Sequence, residues 1–307
     1  MSSELEQAAV TGGGAAASLP GANAQPAPVR PVEAATEAAP APGFVRGTWA
    51  ITRKELNIYF TTPMAYVLLG LFIFVMGYFF AVDVQRYMAW TRNAEQMLQF
   101  NPNALGQLNF TDLIFAPLVY NAALIFAFIL PFLTMRLVAE EKRQQSIQLL
   151  MTSPIGSTSI VLGKFLATCI VVLFAVGLTF AYPLLLDLVA ASGGVEWQTA
   201  LTAYLGLFLV GAAFVAIGMF ISSLTDSQIV AGFVTLIVLL LVWIIGWAAT
   251  AGNATGIAHD LAQFASAPNH LTNFVKGILN LGDLSYYLSL IVLGLFLTRS
   301  AIERMRW

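Results

Sequence analysis

The sequence predicts an all-α membrane protein that crosses the bilayer six times, and three observations carry that expectation. Hydrophobic residues fill 58% of 307 positions and charged ones only 10%, against about 25% charge in a soluble domain. Six apolar runs without an ionisable group in their interior approach the ~20 residues that a helix needs to cross hydrocarbon. Between the second and third runs stands MRLVAEEKRQQSIQLLMTSPIGSTSIVLGK (135–164). Its charge density excludes it from the bilayer that must hold both neighbours.

Residues 1–43 are rich in Ala, Pro and Gly and nearly devoid of large apolar side chains. Such a segment cannot bury enough surface to offset its ordering entropy and is expected to be a disordered cytoplasmic tail. Glu4 and Glu6 stand where a signal peptide would be basic, and no apolar core follows, so the first span is expected to direct insertion. In 44–62, Val45, Trp49, Leu56, Tyr59 and Phe60 fall on one side of a helix, while Arg46, Arg53, Lys54 and Asn57 fall mostly on the other. With Glu55, these residues predict an amphipathic helix lying along the headgroup layer. A helix packed on the protein itself is the alternative.

The transmembrane domain, 63–307, is expected to hold spans at 64–82, 113–134, 165–186, 200–221, 229–250 and 284–298. The second is interrupted by Pro117, Asn121 and Pro131, and the third has Pro183 near its end. The last is short and is expected to gain length by snorkelling of Arg299, by tilt or by local thinning. From Met135 to about Met151 helix formers predominate without Gly or Pro, so a single rigid helix is expected there, ended by Thr152, Ser153 and Pro154. It carries Arg136, Glu140, Glu141, Lys142 and Arg143.

Flanking cations orient the chain. Arg46, Arg53, Lys54, Arg136, Lys142, Arg143, Lys164, Arg299, Arg304 and Arg306 fall on one side, and only Arg86, Arg92 and Lys276 on the other. Both termini and the 135–164 lever are therefore expected in the cytoplasm. The loop 222–228, with Asp226, makes a second, tight cytoplasmic contact. On the outer side, 84–111 is expected to be part helical near the interface. Residues 251–283 are too interrupted to span but apolar enough to dip into the outer leaflet. They suit a re-entrant helical hairpin shielded by protein or water, with a surface loop as the alternative.

The residues that carry chemistry elsewhere are missing. Six residues separate Gly156 from Gly163-Lys164 where a phosphate loop has four, Phe165 replaces its Ser/Thr, and no strand precedes it. The only histidines, His259 and His270, have no zinc spacing, and Ser146 and Ser153 have no base nearby. No cofactor, metal or catalytic role is expected of this chain. Cys169 alone permits no internal disulfide and reads as a small buried hydrophobe. A net charge of -2 without a Lys/Arg run argues against nucleic acid. Tyr120 and Asn121 are the notable mid-span polar pair, and an interhelical hydrogen bond is favoured over a substrate contact for Asn121. Ion-coupled transport lacks its usual buried charges, so energy should enter through the cytoplasmic lever.

An amphipathic first helix, a long linker after span two and an interrupted segment before span six together resemble the permease subunit of ABC-2 type (type-2 ABC) exporters. The stretches TTPMAYVLLGLFIFVMGYFF, LPFLTMRLVAEEKRQQSIQLLMTSPI, VLGKFL and YLGLFLVGAAFVAIGMFISSLTDSQIVAGF are similar to the gliding-motility-associated branch, over about 49–307. The resemblance implies a pair of permeases, identical or related, with two separate ATPase subunits that bind ATP and Mg. The connection 136–154 would be a coupling helix docked in an ATPase cleft. Glu140, Glu141, Lys142 and Arg143 would make contacts there or pin the helix to Arg53, Lys54 and Glu55, and 222–228 would form the smaller contact. Relatives often work beside a membrane subunit with a large outer domain. The function implied is ATP-driven export, secretion or motility work at the cytoplasmic (inner) membrane. A non-transporting scaffold that passes ATPase motion to an outer partner is the alternative, and a secondary transporter or channel the second.

Overall fold

The computed structural model describes residues 43–97, 111–145, 156–189, 195–251 and 256–304. Every regular element among them is helical: α1 (Phe44–Thr61), α2 (Pro63–Met97), a π-helical turn (Thr111–Phe115), α3 (Ala116–Thr134), α4 (Ala139–Arg143), α5 (Ser157–Thr179), α6 (Ala181–Val189), α7 (Trp197–Leu224), α8 (Gln228–Ala251), α9 (Ile257–Ala265), α10 (Ala267–Val275) and α11 (Leu281–Arg304). The expected tail, 1–43, lies outside the described residues except for Gly43.

Six helical segments are long and apolar enough to cross a membrane, in α2, α3 with its flanks, α5–α6, α7, α8 and α11. Their helices outrun the apolar runs. Helix α2 has 35 residues, about 52 Å at 1.5 Å per residue, against a hydrocarbon thickness of about 30 Å. Residues 84–97 thus continue the first span's helix. Helix α11 extends from Leu281 to Arg304, beyond both ends of the short last run.

The core gathers around α7. Ala203, Leu207, Val210, Ala213, Phe214, Ala216 and Met219 on that helix are almost wholly enclosed, and α3, α5, α8, α10 and α11 all pack on it. In lipid the apolar solvent gives helices no hydrophobic reason to associate, so close van der Waals fit along small residues must supply it. The outward faces of α2 and α8 are large and apolar, with Phe74, Leu71, Phe233 and Leu241 exposed. At the bundle end where α8 terminates, two short helices, α9 and α10, lie within 257–275. Helix α10 buries Leu271 and Phe274, whereas α9 buries nothing.

Two expectations need correction. The predicted single helix from 135 to about 151 is broken: 135–138 is turn, α4 spans five residues, and Gln145 has φ 56°. A left-handed residue ends an α-helix, so α4 cannot run on through 145. Residues 146–155, including Thr152, Ser153 and Pro154, lie outside the described residues. The stretch to Lys164 is also not wholly a linker between spans. Helix α5 starts at Ser157, so Lys164 sits two turns inside a helix that continues into the third apolar run.

Helix α1 has three faces where two were expected. Gly47, Thr48, Ile51, Thr52, Glu55 and Tyr59 are buried, at helical spacing on one stripe, against α5. Val45, Trp49 and Phe60 form an exposed apolar stripe with Arg46 and Arg53 beside it, and Lys54 lies across the helix near Glu55. Tyr59, expected with Trp49 on the apolar side, belongs to the buried stripe.

Candidate functional site

The charged residues of α1, 136–143 and 222–228 meet at one end of the bundle, and the start of α5 supplies the centre. Helix α1 approaches that start closely because position 163 is glycine. A Cβ there would stand 2.7 Å from Ile51 Cβ and 2.9 Å from the Thr48 carbonyl oxygen. Thr52 Oγ1 lies 3.2 Å from the Gly163 carbonyl and 2.9 Å from that of Thr48, and the Tyr59 and Thr168 hydroxyls are 3.1 Å apart. Burial pushes the Tyr59 phenol well above the ordinary tyrosine range, with the Thr168 hydrogen bond opposing it.

One turn along, Lys164 has a side chain only 3% exposed, and its Nζ donates to Glu55 Oε1 and Glu141 Oε1, each at 2.8 Å. Lys54 Nζ lies 3.5 Å from Glu141 Oε1 and 3.9 Å from Glu55 Oε1. Two cations thus face two carboxylates contributed by three separate segments. Burying one of these charges alone would cost several kcal/mol, about 3–5 when a partner is removed. Charge-assisted hydrogen bonds from the Lys164 ammonium to both carboxylates offset that cost.

The hydroxyl of Ser222, at the end of α7, explains the break between α3 and α4. It accepts from the backbone N–H of Val138 (3.2 Å) and Ala139 (3.1 Å) and donates to the Met135 carbonyl (2.9 Å). In an uninterrupted helix the Ala139 N–H would bond that same carbonyl. The serine inserts between the two and re-satisfies both, a recognised cause of helix kinks. The turn before α4 is therefore stitched to α7.

The remaining charges lie nearer the surface. Arg136 Nε stands 3.4 Å from Glu140 Oε2, and Gln144 Nε2 donates to Glu140 Oε1 at 3.2 Å. Lys142, only 12% exposed, reaches Asp226, 79% exposed, at 3.5 Å. Arg143 is exposed, as are Arg53 and Trp49. A cleft of about 290 Å³ opens between α1 and 136–144, walled by Lys54, Tyr59, Arg136, Glu140 and Lys164 among others.

The structure brings Lys54, Glu55 and Glu141 together, and Lys142 with Asp226. Tyr120 and Asn121 lie apart from this end. The Tyr120 hydroxyl donates to Thr272 Oγ1 at 2.8 Å, tying α3 to α10. Asn121 makes no hydrogen bond to a described residue. Lys164 and Ser222 are the residues that sequence reasoning undervalued, the first counted only as a flanking cation and the second only as part of a tight loop. For Lys164 a signal existed: a lone cation inside the apolar run IVLGKFL, with Thr48, Thr52 and Glu55 on one stripe of α1 to receive it. Among the described residues no group of three or more His, Cys, Asp or Glu is placed to hold a metal ion.

A family model described as ABC-2 family transporter protein matches residues 49–298. No curated protein matches the chain. The chain belongs to the ABC-2 transporter family and is a multi-pass membrane permease component of an ABC transporter. Membership implies an ATPase partner and a bilayer.

Proposed function

We propose that this ABC-2 family member is the membrane half of an ATP-driven exporter or secretion machine in the cytoplasmic membrane, akin to the gliding-motility-associated branch. Both termini and the charged end face the cytoplasm. Two ATPase subunits, which bind the ATP and Mg, act on two permeases, and an accessory membrane subunit with an outer domain completes the assembly. Helix α1 lies at the inner headgroup layer, its Val45–Trp49–Phe60 stripe towards lipid and Arg46 and Arg53 towards phosphate, while Lys54 faces Glu141.

The observation that carries the reading is the double pinning of 135–143. Lys164 ties Glu141 to α5 and to Glu55 of α1, and Ser222 ties the turn to α7. A push on this segment is thereby delivered to α1, α5 and α7 together instead of being absorbed by a soft linker. The sequence left two roles open for the charges. The geometry supports pinning for Glu141, and we assign contact with the ATPase to Arg143, Asp226 and the 146–155 stretch with Thr152, Ser153 and Pro154.

Native-membrane pull-down tests this division. Arg143→Glu with Asp226→Arg should lose most of the co-purifying ATPase while the permease inserts and melts normally. An undiminished ATPase yield from that variant would refute the docking assignment. ATP-dependent movement of material into inverted vesicles then separates export from a scaffold that moves only an outer partner.

A further inference from the structure

We propose that the opposite end of the bundle carries a binding groove for a neutral sugar, formed by the end of α8 and the α9–α10 hairpin. The groove has a volume of about 490 Å³, within the range of about 300–1,000 Å³ typical of small-ligand sites. Trp243 and Trp247 stand on its α8 side, with Thr250, and Gln263, Ser266 and Asn269 face them from the hairpin. No lining side chain is ionisable. Trp247 is 71% exposed, so one indole presents its surface without covering by the described residues.

The groove is held in shape by contacts at Gly246. A Cβ there would stand 2.7 Å from Ser266 Cβ and 3.1 Å from Asn269 Nδ2, so only glycine lets the hairpin seat this closely. Gln263 Nε2 donates to the Gly246 carbonyl at 3.1 Å, and Asn269 Nδ2 donates to the Gln263 carbonyl at 3.1 Å and to its side-chain oxygen. Both carboxamides are thereby oriented. That leaves a second proton on Gln263 Nε2, and Asn269 Oδ1, free to meet a ligand.

The ligand class follows from what this lining can satisfy. A sugar ring has an apolar C–H face that can lie on an indole, and a rim of hydroxyls that both donate and accept. Oriented carboxamides match that rim because each also does both. A phosphate or carboxylate would find no cation to offset its desolvation, and an acyl chain would strand the amide groups unpaired. A neutral saccharide satisfies both surfaces at once. Its source is either a free oligosaccharide or the head of a glycolipid. The inference stands independently of how the charged end is driven.

The test uses the full chain in phosphatidylcholine nanodiscs without the ATPase. One arm applies it to an array of neutral glycans. The other titrates nanodiscs doped with diglucosyl or digalactosyl diacylglycerol, reading tryptophan emission. Binding in the first arm identifies a free saccharide, and binding in the second alone identifies a glycolipid head. In either arm Trp247→Ala should weaken binding about tenfold, or ~1.4 kcal/mol, because the exposed indole face is removed. Trp49→Ala, at the charged end, should leave it unchanged, and both variants should elute as the parent protein does. Silence in both arms overturns the proposal. So does binding that ignores Trp247→Ala, or that falls equally with Trp49→Ala, because the indoles would then be only interfacial anchors.

Discussion

The two ends of this helical bundle are held together by different physics. At the charged end, α1, α4 and α5 meet through Lys164, Glu55 and Glu141, with a serine hydroxyl spliced into a backbone ladder. At the other end neutral and aromatic ties surround one buried carboxylate, Asp283, which accepts from Asn273 Nδ2 at 2.7 Å. Tyr287 and Tyr286 hydroxyls donate to the Ala267 and Ala265 carbonyls, each at 2.8 Å, and Tyr286 stacks on His270 at 3.9 Å. His270 in turn lies against Asp283. Buried charge pairs are unforgiving, since removing one member leaves the rest uncompensated. Neutral hydrogen bonds each contribute less and can be lost singly. One end therefore suits transmission of force as a unit, and the other suits adjustment around a groove.

Breaking that contrast should give a graded series. Lys164→Met should have the largest effect, about 3–5 kcal/mol of stability, because Glu55 and Glu141 lose their buried partner and keep only the half-exposed Lys54 at 3.5–3.9 Å. Thermal unfolding in detergent reads the loss, and adding Glu55→Gln and Glu141→Gln should recover much of it. A single variant as stable as the parent would mean that the trio is not desolvated as the geometry implies. Gly163→Ala should follow, at about 1–3 kcal/mol from overpacking, with spin-label distances between α1 and α5 lengthening. Ser222→Ala strands two amides and a carbonyl, for about 1–3 kcal/mol. Hydrogen exchange should quicken at Val138 and Ala139 and stay unchanged in α8. Tyr287→Phe, at the neutral end, should cost about 1 kcal/mol, a loss that melting curves can resolve. Smallest of all, Lys142→Gln removes a pair whose acidic partner is exposed, so less than about 1 kcal/mol is expected. If Lys142→Gln proves as damaging as Lys164→Met, the distinction between buried and peripheral charge at this end is wrong.

Much of the architecture was legible because hydrocarbon is an exacting solvent. Apolar run length alone sets out six crossings, and the charge density of 135–143 announces a segment that hydrocarbon rejects. Glu55, Glu141 and Lys54 could be named as pinning candidates because the resemblance allowed contact between 136–154 and α1. What pins them could not. Lys164 lies 109 residues from Glu55 and 23 from Glu141, and no helical period relates such positions. Local propensity also made 135–151 one helix, as Ala, Glu, Lys, Arg and Gln recommend. The interruption comes from Ser222, 83 residues beyond Ala139.

The sequence by itself determined how many stretches are long and apolar enough to cross and which stretches hydrocarbon excludes, because each follows from local composition or spacing. The tertiary structure decided which charges are spent on one another, where the linker bends and that α1 buries one stripe of side chains while leaving an apolar one exposed. Those outcomes depend on groups brought within about 3 Å by packing, and distance in space is not written in the order of residues.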